Sequence, residues 1–163
     1  MTEAALGLGA NLGDREASIL RALDLLSEGG AARVIARSPL YETAPWGDVD
    51  QGPFLNACAL IETSLQPLPL LAHCLGVEAA LGRDRKTGRR WGPRMIDIDV
   101  LFYGDVIADE PALTLPHPRM MERAFVLAPL ADIAPDRVVG GRRIADALAE
   151  VGTAGVTRWT PPA

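Results

Sequence analysis

Ile96-Asp97-Ile98-Asp99-Val100-Leu101 alternates apolar and acidic side chains and lies within the run 95–103, the strongest strand signal in the chain. Gly104-Asp105 closes it as a turn. Side chains two apart on a strand share a face, so Asp97 and Asp99 point one way and Ile96, Ile98 and Val100 the other. Towards the N-terminus a basic stretch precedes this strand. Before it, Pro67 opens a helix in which Leu71, Leu75, Glu78 and Ala79 follow, up to Gly82. Residues 54–61 read as a strand, and a Pro- and Gly-rich loop over 43–53 separates it from an extended segment over 34–41, broken near Pro39. Asp14 is a helix N-cap for the apolar series Ile19, Leu20, Leu23 and Leu26, which Gly29-Gly30 ends; a short buried strand over 4–8 comes first. The order strand, helix, strand, strand, helix, strand predicts an α+β fold, a ferredoxin-like βαββαβ sandwich with an antiparallel sheet and helices on one face. Short helices over 125–130 and 144–151 make a small C-terminal extension. Residues 1–163 read as a single domain without repeats or linkers.

Composition narrows the function classes. The chain is 48% hydrophobic with a net charge of −5, so its surface as a whole does not attract nucleic acid or anionic membrane. Cys58 and Cys74 lack metal-ligand or CxxC spacing, which fits a reducing cytoplasm. The first residues lack the pattern of a signal peptide, and no apolar stretch reaches the length of a membrane span. Charge is uneven. Residues 83–94 hold six cations (Arg83, Arg85, Lys86, Arg89, Arg90, Arg94) and one anion, Asp84, a net +5 that leaves −10 for the rest. A compact cationic loop on an acidic body suits a small polyanion such as a nucleoside triphosphate.

Two like charges on one strand face repel unless a cation lies between them or one takes a proton. Magnesium favours carboxylate oxygen and keeps water and phosphate oxygens as its other ligands. A strand with one solvated face is the competing reading of Asp97 and Asp99, weakened by the cationic loop beside them and by the poor fit of Asp to strands. Arg94, three positions before Asp97, places a guanidinium where it can meet a metal-held phosphate, and Arg83, Arg85 and Lys86 can reach further oxygens. Trp91, between Gly88 and Gly92, suits a lid or a packing anchor. His117, between two prolines, is a phosphate donor or a structural loop histidine, and Arg123 has the same two readings. Asn56 sits in an apolar context where it needs hydrogen-bond partners. The glycines of Gly7-Leu8-Gly9-Ala10-Asn11-Leu12-Gly13 lack the order of a phosphate-binding turn and carry little weight.

The run Arg90-Trp91-Gly92-Pro93-Arg94-Met95-Ile96-Asp97-Ile98-Asp99-Val100-Leu101 resembles the signature of the 6-hydroxymethyl-7,8-dihydropterin pyrophosphokinases. Gly9-Ala10-Asn11-Leu12, Tyr41-Glu42-Thr43-Ala44-Pro45, Phe54-Leu55-Asn56-Ala57, Glu78 with Gly82-Arg83, Pro116-His117 and Arg123-Ala124-Phe125 extend the resemblance in order to about Pro135. It implies transfer of diphosphate from ATP to the pterin hydroxymethyl group with release of AMP, in folate biosynthesis. It implies two magnesium ions on Asp97 and Asp99, with Arg83 and Arg94 also catalytic. Arg83, Arg94, His117 and Arg123 would hold the triphosphate, with Glu78 and Ile98 on the nucleotide side and Trp91 on a closing loop. The pterin would lie against Asn56, Phe54 and Phe125, with Thr43, Ala44, Pro45 and Trp46 completing its pocket. Small-molecule substrates, no nucleic acid, no membrane and a monomer in the cytoplasm follow from the same resemblance.

The chain departs from the family pattern at Leu75, where a glutamine is common, at Pro118 and Phe54, where tyrosines are, and at Ala112 in place of an arginine. None touches the aspartate pair. Two rival functions remain: a ferredoxin-like module that binds nucleic acid through the basic loop, and a kinase that transfers only the γ-phosphoryl group. The 5% aromatic content and negative charge oppose the first, and the nucleotide product separates the second.

Overall fold

A computed structural model describes residues 1–43, 53–82 and 96–161. The elements are β1 (Thr2–Ala10), α1 (Arg15–Ser27), β2 (Ala32–Arg37), β3 (Tyr41–Thr43), β4 (Phe54–Thr63), α2 (Pro67–Ala80), β5 (Asp97–Tyr103), β6 (Ala108–Asp109), β7 (Thr114–Leu115), α3 (Ala124–Ile133), β8 (Val138–Val139), β9 (Arg142–Arg143), α4 (Ile144–Val151) and β10 (Val156–Arg158). Local chemistry starts and stops them as the sequence predicts. Asp14 accepts the Ala17 N–H at 3.1 Å and caps α1, and Pro67 opens α2 where a missing N–H costs nothing. Gly29, at φ +84°, and Gly30, at +78°, turn the chain after α1 through a region that side chains with a Cβ avoid.

The main sheet has six strands in the order β10-β3-β4-β1-β5, with β2 paired to β4 beyond β3, and every pairing is antiparallel. Strand β4 lies between β1 and β2, which is the split βαβ arrangement of a ferredoxin-like sandwich. Alternation sorts the side chains onto two faces. Ala4, Leu6, Leu8, Leu55, Ala57, Ile98 and Val100 meet α1 and α2 through Ile19, Leu23, Leu26, Leu70 and Val77. Ala5, Cys58, Leu101 and Phe102 meet α3 and α4 through Leu127, Leu130, Ile144 and Ala147. The expected pair of helices on one face is therefore present, and the C-terminal extension does more than expected: it covers part of the other face. It also returns to the sheet, since β10 pairs with β3 and the Trp159 N–H donates to Leu40 O at 2.9 Å. Among the described residues no helix is long and apolar enough to cross a membrane.

Candidate active site

Register places the key side chains in rows across the sheet. Tyr41, Asn56, Gly9 and Asp97 are successive partners on β3, β4, β1 and β5. Cys58, Gly7 and Asp99 form the next row on the same face. Partners in an antiparallel sheet project to one side, so all of these face α3 rather than α1 and α2. Asn56 and Asp97 stand two strand spacings apart, roughly 9–10 Å, with only glycine between them. A Cβ at Gly9 would stand 3.0 Å from Asn56 Oδ1, so the bare strand is what leaves that oxygen room. Gly7 and Gly9, quoted in the sequence only as part of a glycine-containing stretch, share this face with the aspartates. Their signal was the same period of two that marks Asp97 and Asp99.

Asp97 and Asp99 are half-buried, while Ile96, Ile98 and Val100 are buried on the opposite face, as the alternation predicts. Among the described residues no group of three or more His, Cys, Asp or Glu comes together as a metal cage. Two carboxylates leaving the remaining positions to water and phosphate oxygen is the donor set that magnesium accepts, so the residues present fit that ion. Glu78, on the buried face of α2, is only 2% exposed, and its carboxylate accepts the Ile98 N–H at 2.7 Å. Ile98 thus has its side chain in the core and its amide committed to Glu78.

The segment after β7 carries His117, Arg119 and Arg123 and is tied to the aspartate strand. The His117 N–H donates to Leu101 O at 2.7 Å, which ties that loop to β5. The Arg119 N–H donates to His117 Nδ1 at 3.2 Å; with Nδ1 as acceptor, the neutral ring carries its proton on Nε2 and presents it as a donor. Burial lowers the His117 pKa from 6.5, the charges of Arg123 and Arg119 lower it further, and Asp97 opposes them. Arg123, at the N-cap of α3, has its guanidinium 5.5 Å from the centre of the Phe125 ring. Its buried Nε has no hydrogen-bond partner among the described residues. Arg137 Nε is likewise unpaired; a phosphate oxygen is one acceptor that would satisfy the Arg123 donor.

On the other flank Asn56 Nδ2 donates to Thr43 Oγ1 at 2.7 Å, both residues being buried. Half-buried Phe54 pairs with Thr43 and reaches the space over Gly9. Phe125 lies on α3, which Cys58 ties to the sheet by donating from Sγ to Val126 O at 3.5 Å. Tyr41 donates its hydroxyl to Asp132 of α3, and Arg158 of β10 lies 3.8 Å from the same carboxylate. Arg15 donates to Glu42 at 2.9 Å and to Pro53 O at 3.0 Å, holding the two chain ends that flank 44–52. Arg83, Trp91, Arg94, Ala44, Pro45 and Trp46 lie outside the described residues.

The arrangement is an antiparallel α+β sheet with paired carboxylates on its edge strand, a basic segment tied to that strand and a buried amide two strands away, a donor set of the kind that phosphate-transfer proteins use. The sequence model of the 7,8-dihydro-6-hydroxymethylpterin-pyrophosphokinase (HPPK) family matches residues 5–135. The chain belongs to this family. It is 52% identical over 158 residues to the 2-amino-4-hydroxy-6-hydroxymethyldihydropteridine pyrophosphokinase of Methylorubrum extorquens, covering 97% of this chain and 99% of the relative. A Pseudomonas aeruginosa protein of the same name is 42% identical over 154 residues, covering 94% of each. Among solved structures, an HPPK-DHPS in complex with substrates superposes with a TM-score of 0.72 at 16% identity, over 91% of this chain and 43% of that one. Plasmodium falciparum HPPK-DHPS gives 0.69 at 17%, over 92% and 43%. These two share the fold.

Proposed function

We propose that this chain transfers the terminal diphosphate of ATP to the hydroxymethyl group of 6-hydroxymethyl-7,8-dihydropterin and releases AMP, a step of folate biosynthesis. The observation that carries the reading is the row Asn56–Gly9–Asp97, which sets a buried amide and a carboxylate on either side of a bare strand. Asn56 and Thr43 pair with the polar edge of the pterin, and Phe54 and Phe125 take its faces. Asp97 and Asp99 bind two magnesium ions, which when bound neutralise phosphate charge and order the triphosphate. Arg123, His117, Arg83 and Arg94 hold the phosphate oxygens, and the arginines offset the charge that develops as AMP leaves. Glu78 and Ile98 belong to the nucleotide side, and Trp91 closes over both substrates. The pterin hydroxyl oxygen forms a bond to the β-phosphorus while the bond from that phosphorus to the α-bridging oxygen breaks; the bridging oxygen leaves on AMP, and the hydroxyl proton passes to Asp99 or to solvent. No side chain is an obvious strong base, Asp99 being the candidate, and positioning supplies much of the rate. The chain works as one domain and a monomer, in the cytoplasm.

The test is incubation with ATP, magnesium and the pterin alcohol, followed by nucleotide chromatography. AMP formed in step with pterin consumption is the expected result. ADP in its place assigns γ-phosphoryl transfer, and unchanged ATP removes the reading altogether.

A further inference from the structure

Among the described residues Glu78 is the only Asp, Glu, Lys or Arg that is buried. A carboxylate is costly to bury unless hydrogen bonds replace its water. Here one replacement is explicit, since Glu78 accepts the Ile98 N–H at 2.7 Å. Ile98 separates Asp97 from Asp99 on β5, and β5 is an edge strand whose neighbour in the sheet is β1.

In an antiparallel ladder the N–H and C=O of one residue point to the same side, and successive residues alternate sides. With the Ile98 amide turned out towards α2, the amides of Asp97 and Asp99 turn inward to their partners Gly9 and Gly7 on β1. The aspartate strand is therefore held from both edges: by β1 at Asp97 and Asp99, and by Glu78 at the residue between them. An edge strand without that outer partner would twist and fray most at its first residues, which here are the ones that carry the carboxylates. Glu78 lies in the last turn of α2, and Ile98 is the second residue of β5, so the same bond draws together the points where the chain leaves α2 and returns to the sheet. Leu70, Cys74 and Val77 seat α2 in the core, so the carboxylate is presented from a rigid element.

We propose that Glu78 is a positioning residue, which by holding the Ile98 amide fixes the direction of the Asp97 and Asp99 carboxylates for a divalent cation carrying a triphosphate. The proposal rests on the reading that these two aspartates hold the metal.

The test measures manganese binding in the presence of the α,β-methylene analogue of ATP, by the electron paramagnetic resonance signal of free Mn²⁺, at a temperature where melting curves show each variant folded. Glu78→Leu, which removes the acceptor, is expected to weaken binding by about 10–100-fold, the usual scale for losing a residue that orients metal ligands. Glu78→Gln keeps an acceptor oxygen and should fall between the two. A folded Glu78→Leu that binds as tightly as the unaltered chain overturns the proposal, and so does a lower melting temperature with unchanged binding. If Glu78→Leu does not fold, Glu78→Gln carries the test: weaker binding together with faster exchange of the Ile98 amide proton sustains the proposal, and unchanged binding overturns it. The readout needs no turnover. A chain that binds the manganese complex but makes no AMP loses the diphosphate-transfer function and keeps this role for Glu78; one that makes AMP with Glu78→Leu binding normally loses only the role of Glu78.

Discussion

Gly9 on β1 and Asn56 on β4 are register partners, and the missing side chain of Gly9 leaves Asn56 Oδ1 open on the face that also carries Asp97. Gly9→Ala would set a methyl group 3.0 Å from that oxygen. Its backbone is not in the left-handed region, so the fold should survive while the site suffers. The expected outcome is a KM for the pterin raised by about tenfold, equivalent to about 1.4 kcal/mol, with a near-normal KM for ATP. Steady-state kinetics with each substrate varied in turn checks it. Equal effects on both substrates would place Gly9 outside the pterin pocket.

Asp97→Ala and Asp99→Ala should each cut turnover by about 10²–10³-fold, the scale of losing one preorganised electrostatic group. Both side chains are half-buried and project from the face opposite Ile98 and Val100, so melting temperatures should stay close to that of the unaltered chain. Single-turnover AMP formation beside thermal melting is the measurement, and near-normal turnover in both variants would rule out the metal role.

His117 makes stability depend on pH. Its pKa is lowered from 6.5 by burial first and then by Arg123 and Arg119, so between 6.5 and the lowered value the unfolded chain binds the extra proton. The stability it contributes is present above about pH 6.5 and is lost as the pH falls through the folded pKa. His117→Gln should therefore lose less melting temperature than the unaltered chain between pH 7 and about pH 5. An identical slope in both proteins would mean that His117 takes up its proton alike in the folded and unfolded chains.

Tyr41 joins the Asn56 row of the sheet to the C-terminal extension through Asp132, and β10 pairs with β3 up to Thr43, the hydrogen-bond partner of Asn56. Tyr41→Phe removes only the hydroxyl. It should cost about 1 kcal/mol in urea denaturation, the net worth of one such bond, and raise the KM for the pterin more than that for ATP. A stability loss with both constants unchanged would confine the extension to support of the fold.

Both cysteines should be inert in the native chain. Burial pushes the Cys74 thiol up to about 12, with the charge of Glu78 adding to it, and burial likewise raises Cys58. Thiolate is the reactive form, so a disulfide reagent at about pH 8 should modify neither until denaturant is added, when both react.

Much of the framework was legible because its signals are local. The cap at Asp14, the proline at Pro67 and the alternation from Ile96 to Leu101 are read from neighbours in the chain, and the structure places α1, α2 and β5 where they indicate. Helical spacing also put Glu78 among apolar neighbours. It did not say what the carboxylate meets, because Ile98 arrives from a strand twenty residues on.

The sequence by itself determined the order of elements through β5, the shared face of Asp97 and Asp99 and the family to which the chain belongs, since propensity, period and motif depend on adjacent residues. Only the tertiary structure decided that Gly7 and Gly9 line up with those aspartates, that Asn56 stands across from Asp97, and that the last strand returns to β3 beside Thr43. Those placements are set by register between strands far apart in the chain. A slip of one residue would turn the same side chains to the opposite face without changing any local signal.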